Sequence, residues 1–351
     1  MIRGVPALLV LTAIAAGCGD APVYPYGPAP PKNCPVSTLD GYAAVGGDVN
    51  GVASPPTTGG GSGPTMMVNN DPVKLAELLQ SPDPLVIYVN GMLSPPDTIK
   101  VTLDKDARGG NKTLIGVGAN SGLTGAGLDL SYADNIIVRN LKISKVFIGE
   151  GDAITLLNSH HVWIDHCDLS SDRDDTTARY DGLVDITHGS SFITVSWTMF
   201  HDHGDTSLVG HTADVSQMEE DAALSVTYHH NGFYRVASGP RVRWGNAHVF
   251  NNRFQDVNVF GVVSASDALV RLENNLFELV PRLPLATTYQ DPLSGMMTED
   301  GDQFSSSGPI DIIQPSVTPP PLPYSWTTDG VDSAASLVDK CAGTGMLNFG
   351  P

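Results

Sequence analysis

Two aspartates, Asp181 and Asp185, stand four residues apart in YDGLVDITHGSSFITVSW (residues 180–197), a segment that otherwise reads as strand. At that even spacing both side chains project from one face of an extended chain. The two carboxylates repel, and no Lys or Arg lies between them. The pair therefore asks for a positive charge from elsewhere in the fold or from a bound cation. The plainer alternative is a solvated acidic face, since the chain carries 38 Asp and Glu against 19 Lys and Arg. A net charge of −19 excludes a nucleic-acid partner, whose phosphates need a basic surface. It does not exclude an anionic substrate that a cation can bridge to the protein.

The histidines invite a structural reading. His160, His161, His229 and His230 come as neighbours, so on a strand one of each pair points in and one out. His166 and His248 read as core hydrogen-bonding groups, and no His or Cys spacing matches a zinc site.

The elements that must position these residues are short strands. PLVIYVNG, KTLIGVG, NIIVRNLKI, HVWIDHCDL, FITVSWTMF, LSVTYHHNGF, HVFNNRF and LVRLENNLFEL are rich in Val, Ile and aromatics and bounded by Gly, Asn, Asp or Ser. Their large apolar ends fall at Ile143, Leu169, Phe200, Phe233, Phe254 and Phe277, in irregular steps of 21 to 33 residues. One strand per irregular repeat, without amphipathic helices, predicts a parallel β-helix whose coils stack about 4.8 Å apart. A β-sandwich would also give many short strands, but Asn-Gly hairpin turns are scarce here. Like residues then stack, and Asn140, Asn231, Asn251–Asn252 and Asn274–Asn275 are expected to form an amide ladder at the bends. Asp71 before Pro72 predicts one short helix over 71–80. From residue 281 the pattern gives way to expected long loops and a C-terminal wrap.

The ends carry their own signals. Residues 1–18 combine an early Arg, an apolar run and small residues before Cys18, as an export signal does, and Ala15-Ala16-Gly17-Cys18 looks like a lipoprotein cleavage box. A lipid on Cys18 would be the only membrane attachment, because the apolar run is too short to span a bilayer. Residues 19–36 read as a Pro-rich tether and 37–351 as the folded domain. Cys34 and Cys341 are expected to be able to pair in an oxidising compartment, and Cys167 reads as a buried thiol.

In order along the chain, GDAITLLNSHHVWIDHCDLS (151–170), DGLVDITHGSSFITVSWTMFHDH (181–203), LVGH (208–211), VTYHHNGF (226–233) and PRVRWGNAHVFNN (240–252) resemble the successive motifs of the pectate lyase family. The resemblance implies an all-β, single-stranded right-handed parallel β-helix. It also implies a monomer that cleaves acidic polysaccharide of the polygalacturonate type by calcium-dependent β-elimination. It places the calcium ligands at Glu150 and Asp152 on one coil and at Asp181 and Asp185 on the next. Stacked coils can bring both pairs to one face, and Ca2+ takes about six to eight oxygen ligands.

Two positions depart from the family pattern. The word that would read Arg-x-Pro-x-x-Arg is Ser238-Gly239-Pro240-Arg241-Val242-Arg243, so the expected base is a serine while Arg243 remains. The lysine expected three residues before the Leu of LVG is Asp205. Ser238 has no evident His–Asp partner to activate it. Arg243 and Arg235 are the candidate catalytic residues, with Arg235 swinging in at the bend that Gly239 allows. Arg241, Arg243, Trp244 and His203 are the candidate substrate contacts, and His203 or His211 could serve as an alternative base. Loss of catalysis with retained calcium-dependent polysaccharide binding is the rival reading, and a purely structural or adhesive β-helix is a third.

Overall fold

The computed structural model describes residues 34–49, 52–174, 179–313 and 321–347. The signal residues, Cys18 and most of the expected tether lie outside them. The described chain winds into coils whose strands pair in parallel with their counterparts one coil away. One sheet runs in sequence through Leu85–Asn90, Gly109–Gly116, Ala133–Arg139, His160–Asp165, Ser191–Ser196, Ser225–His229, Asn246–Phe250, Leu269–Glu273 and Met296–Asp300. A second sheet runs alongside from Met92–Leu93 to Gln303–Ser305. This is a parallel β-helix.

Stacking turns sequence repeats into columns. Ile143, Leu169, Phe200, Phe233, Phe254 and Phe277 are successive register partners, all buried, and Phe304 extends the column. The rings of Phe200, Phe233, Phe254 and Phe277 lie 4.6–4.7 Å apart and nearly parallel, the strand spacing fixing their offset stacking. Each coil turns between sheets through one residue with positive φ, at Asn140, His166, Trp197, His230, Asn251 and Asn274. The next residue points inward. There Asn231 Nδ2 donates to Asn252 Oδ1, Asn252 Nδ2 to Asn275 Oδ1, and Asn275 Nδ2 to Asp302 Oδ1, at 2.8–3.0 Å. The ladder therefore consists of Asn231, Asn252 and Asn275. Asn140 belongs one column outward, where its amide bonds Gly116 and Gly118 carbonyls, because the left-handed turn position also favours Asn.

The helix Pro72–Gln80 forms where expected, with Asp71 Oδ1 accepting from Lys74 N, and it buries Leu75, Leu78 and Leu79. Beyond residue 281 the chain is more regular than its sequence suggests. Leu283–Ala286, Met296–Asp300 and Gln303–Ser305 add a further coil, and Val331–Cys341 is a helix that buries Val331, Ala334, Ala335 and Val338. That helix is tied to the N-terminal segment by the Cys34–Cys341 disulfide, while Cys167 is a free buried thiol. Among the described residues no helix is long and apolar enough to cross a membrane.

Candidate active site

Three neighbouring coils lengthen their second-sheet strands to Met199–Val209, Gly232–Arg243 and Arg253–Ala265. Their later halves form one wall of a cleft of about 300 Å³ lined by Asp181, Asp185, Asp205, Ser238, Arg241 and Arg243, with Phe260 and Tyr289 as its apolar side.

The acids meet at one end. Thr155 on the strand Ile154–Leu157 is the register partner of Asp185 on Val184–Thr187, which sets Asp152 beside Gly182 of the next coil. Gly182 N donates to Asp152 Oδ1 at 2.8 Å, and Leu208 N donates to Asp185 Oδ1 at 3.2 Å. Burial pushes the Asp152 carboxyl up to about 6, against the two hydrogen bonds it accepts and with repulsion from Asp181 and Glu150. Burial, then the charge of Asp152, raises Asp185 well above the usual carboxylate range, and burial followed by Asp205 raises Asp181. Among the described residues no Lys or Arg forms an ion pair with Glu150, Asp152, Asp181 or Asp185.

A gap lies between these carboxylates. A Cβ placed on Gly182 would stand 2.5 Å from Asp185 Oδ1 and 2.9 Å from Asp152 Oδ1. Two carboxylate oxygens on adjacent coils thus face one small space that glycine keeps open. An all-oxygen, anion-rich set of this kind fits a hard divalent cation such as Ca2+.

The cations sit across the cleft and are already held. Arg241 Nη2 lies 2.7 Å from Asp291 Oδ2 and Arg243 Nη2 lies 3.1 Å from Asp291 Oδ1, with the Asp291 side chain 3% exposed. Arg241 also donates to Tyr289 O and Arg243 to Gly210 O. Two guanidinium groups share one carboxylate, which leaves a net positive charge facing the acids. Sequence reasoning missed Asp291 and Tyr289, which arrive from a loop some 50 residues later.

The remaining expected site residues lie elsewhere. His203 is 1% exposed, with Nε2 donating to Asp181 O at 2.8 Å and Nδ1 against Ser171 Oγ. Burial lowers its proton affinity, so the neutral ring positions the Asp181 backbone rather than lining the cleft. Trp244 donates from Nε1 to Thr212 O at 2.7 Å and does not line the cleft. Arg235 is mostly exposed, has φ +54° and binds Asp202 at 2.7 Å, also outside the cleft. His211 pairs with Asp221. His166 and His248 bind Asp165 and Glu273, the core hydrogen-bonding roles expected of them. His160 instead binds Asp134, and both members of the His160–His161 and His229–His230 pairs are buried, the second of each having positive φ.

A family model described as pectate lyase matches residues 35–346. The chain is 37% identical over 314 residues to a pectate lyase of Emericella nidulans, covering 89% of this chain and 89% of that one. It is 33% identical over 316 residues to a pectate trisaccharide-lyase of Bacillus licheniformis, covering 89% and 87%. A pectate lyase from a Bacillus species, crystallised in complex with trigalacturonate, has a similar fold with a TM-score of 0.78. It is 32% identical, covering 89% of this chain and 100% of that one.

Proposed function

The chain belongs to the pectate lyase family, and on that premise we propose that it is an exported, monomeric lyase cleaving polygalacturonate-type chains by calcium-dependent β-elimination. Glu150, Asp152, Asp181 and Asp185 are the proposed calcium ligands. When bound there, Ca2+ would draw electron density from a uronate carboxylate and acidify the C5 proton. Arg241 and Arg243 engage the substrate carboxylate and oppose the negative charge that grows on it as the proton leaves. Asp291 holds both side chains in place, so little reorganisation is needed at the moment of reaction. The C5 proton passes to a base, a C4–C5 double bond forms, and the C4–O bond breaks with its electrons going to the departing sugar oxygen.

Two groups compete for the role of base. Arg235 must first release Asp202 and reach inward, whereas Asp205 already lines the cleft. Export accords with the Cys34–Cys341 disulfide, since such bonds persist in oxidising compartments.

The observation that carries this reading is the glycine-kept gap between Asp152 and Asp185. Incubation with polygalacturonate and calcium, followed by ultraviolet absorbance of the unsaturated product, tests it. Rising absorbance that chelation abolishes is expected, and a flat trace across alkaline pH would overturn it for that substrate. The Ser238–Asp205 hydrogen bond, standing where the family pattern carries Arg and Lys, favours a second reading of calcium-dependent binding without cleavage. Polygalacturonate retention on a calcium-loaded column with no absorbance change would select that reading.

A further inference from the structure

A second cluster of ligating atoms lies on the loops beyond two of the cleft-bearing strands. His188 directly follows the strand Val184–Thr187, His211 lies two residues beyond Met199–Val209, and Glu220 sits on the short helix Met218–Asp221. The two imidazole rings stack at 3.9 Å. Their Nε2 atoms stand 3.7 and 3.9 Å from Glu220 Oε2. The three ligating atoms all lie within 4.8 Å of one another.

The surroundings hold these side chains in place. Asp221 has no exposed surface and accepts from His188 N at 2.7 Å, His211 N at 2.8 Å and His211 Nδ1 at 2.7 Å. His188 Nδ1 lies 3.0 Å from Thr187 Oγ1. Both rings therefore have Nδ1 engaged by the protein and turn Nε2 towards Glu220. A carboxylate on the far nitrogen is the arrangement that orients and strengthens a metal-binding histidine.

We propose that His188, His211 and Glu220 form a binding site for a transition-metal ion of the Zn2+ class, through both Nε2 atoms and the Glu220 carboxylate. Two imidazoles and one carboxylate suit such an ion better than calcium, which prefers oxygen alone. Ligand atoms around tetrahedral zinc stand about 3.3 Å apart, so the two His–Glu220 separations of 3.7 and 3.9 Å contract by about half an ångström on binding. The stacked rings are 19° from parallel, so one must turn out of the stack for both Nε2 atoms to reach one ion, and the 32% exposure of the His188 side chain leaves it room to do so. Gln217 Oε1, now 3.0 Å from His211 Nε2, gives way to the ion. Three protein ligands leave a fourth position for water.

Such an ion pins the 210–221 loop to the coil that carries Asp185. Gly210 O and Thr212 O of that loop accept from Arg243 and Trp244, so the ion also steadies the cationic wall of the cleft.

The test is calorimetric titration of the metal-stripped full chain with zinc chloride in excess calcium, with the visible spectrum of the Co2+ form as a coordination readout. One ion per chain, with intense bands of tetrahedral Co2+, is expected. Glu220→Gln should weaken binding at least about tenfold, and His188→Ala should abolish it, with circular dichroism confirming the fold. The Glu220 side chain is 55% exposed, so its variant carries the test even where His188→Ala misfolds. No zinc uptake, or uptake equal in parent and Glu220→Gln protein, overturns the proposal.

Discussion

Ser238 Oγ donates a 2.6 Å hydrogen bond to Oδ1 of Asp205, its register partner on the neighbouring coil. Both residues line the cleft that also holds Asp181, Asp185, Arg241 and Arg243. The family pattern carries arginine at the first position and lysine at the second. The local charge is therefore more negative by three units, one lost at 238 and two at 205. Against the proposed polyanionic substrate that difference opposes binding, and on the proposed reading calcium together with the Asp291-bound arginines offsets it.

Restoring the cations should reverse the deficit. The double variant Asp205→Lys with Ser238→Arg gives up the Asp205 carboxylate but supplies both the arginine base and the lysine of the family pattern. It is expected to raise the initial rate of unsaturated-product formation at least about tenfold. A double variant that is folded and no faster than the parent would show that this cleft does not use the family's cation pair.

The identity of the base is separable by two single variants. Arg235 contacts Asp202 outside the cleft, so Arg235→Ala is expected to leave the rate within about twofold. Asp205→Asn removes the carboxylate already facing the substrate site and is expected to lower it about a hundredfold. The opposite pattern would assign proton abstraction to Arg235.

The cradle itself can be filled without touching a carboxylate. At Gly182 the backbone does not adopt the left-handed conformation, so alanine imposes no backbone strain there, but its Cβ would lie 2.5 Å from Asp185 Oδ1 and push that carboxylate aside. Gly182→Ala is expected to weaken calcium binding at least about tenfold by calorimetry while thermal unfolding of the calcium-free protein changes little. Unchanged calcium affinity would place the ion elsewhere.

How much of this was legible beforehand follows from how stacking works. The Phe200–Phe233–Phe254–Phe277 column could be read because one residue type recurs at the same point of each coil, however irregular the step. The acids at 150, 152, 181 and 185 are placed on adjoining coils by the resemblance to the pectate lyase motifs, and the register Thr155–Asp185 accords with that placement. Asp291 could not, because it reaches Arg241 and Arg243 from a loop of the last coils, whose strands lack the β-branched signature. The helix Val331–Cys341 hid in an Ala- and Ser-rich run whose apolar face is small. His188, His211 and Glu220 come from three separate segments, and no linear spacing announces them. Asn140 misled because asparagine suits both the inward ladder and the left-handed turn beside it.

The amide ladder ends in a carboxyl group, and that end sets a pH dependence. Asp302 Oδ1 accepts from both Asn275 N and Asn275 Nδ2, while its Oδ2 is buried without a partner. Burial pushes this carboxyl up to about 7, with Glu299 and Glu273 adding repulsion, and its ordinary value is 3.8. The folded state thus holds the proton more tightly than the unfolded chain. The group's contribution to stability therefore grows as pH falls from about 7 to about 4, and the penalty for burying its charge applies above that window. Asp302→Asn keeps both hydrogen bonds as acceptor and carries no charge. Relative to the parent it should be more stable at pH 8 than at pH 5 by about 1–2 kcal/mol, measured as the difference in urea unfolding free energy at each pH. Taking the difference between variant and parent cancels the titration of the other acids. A stability difference that is the same at both pH values would mean that the ladder ends in an ordinary, solvated carboxylate.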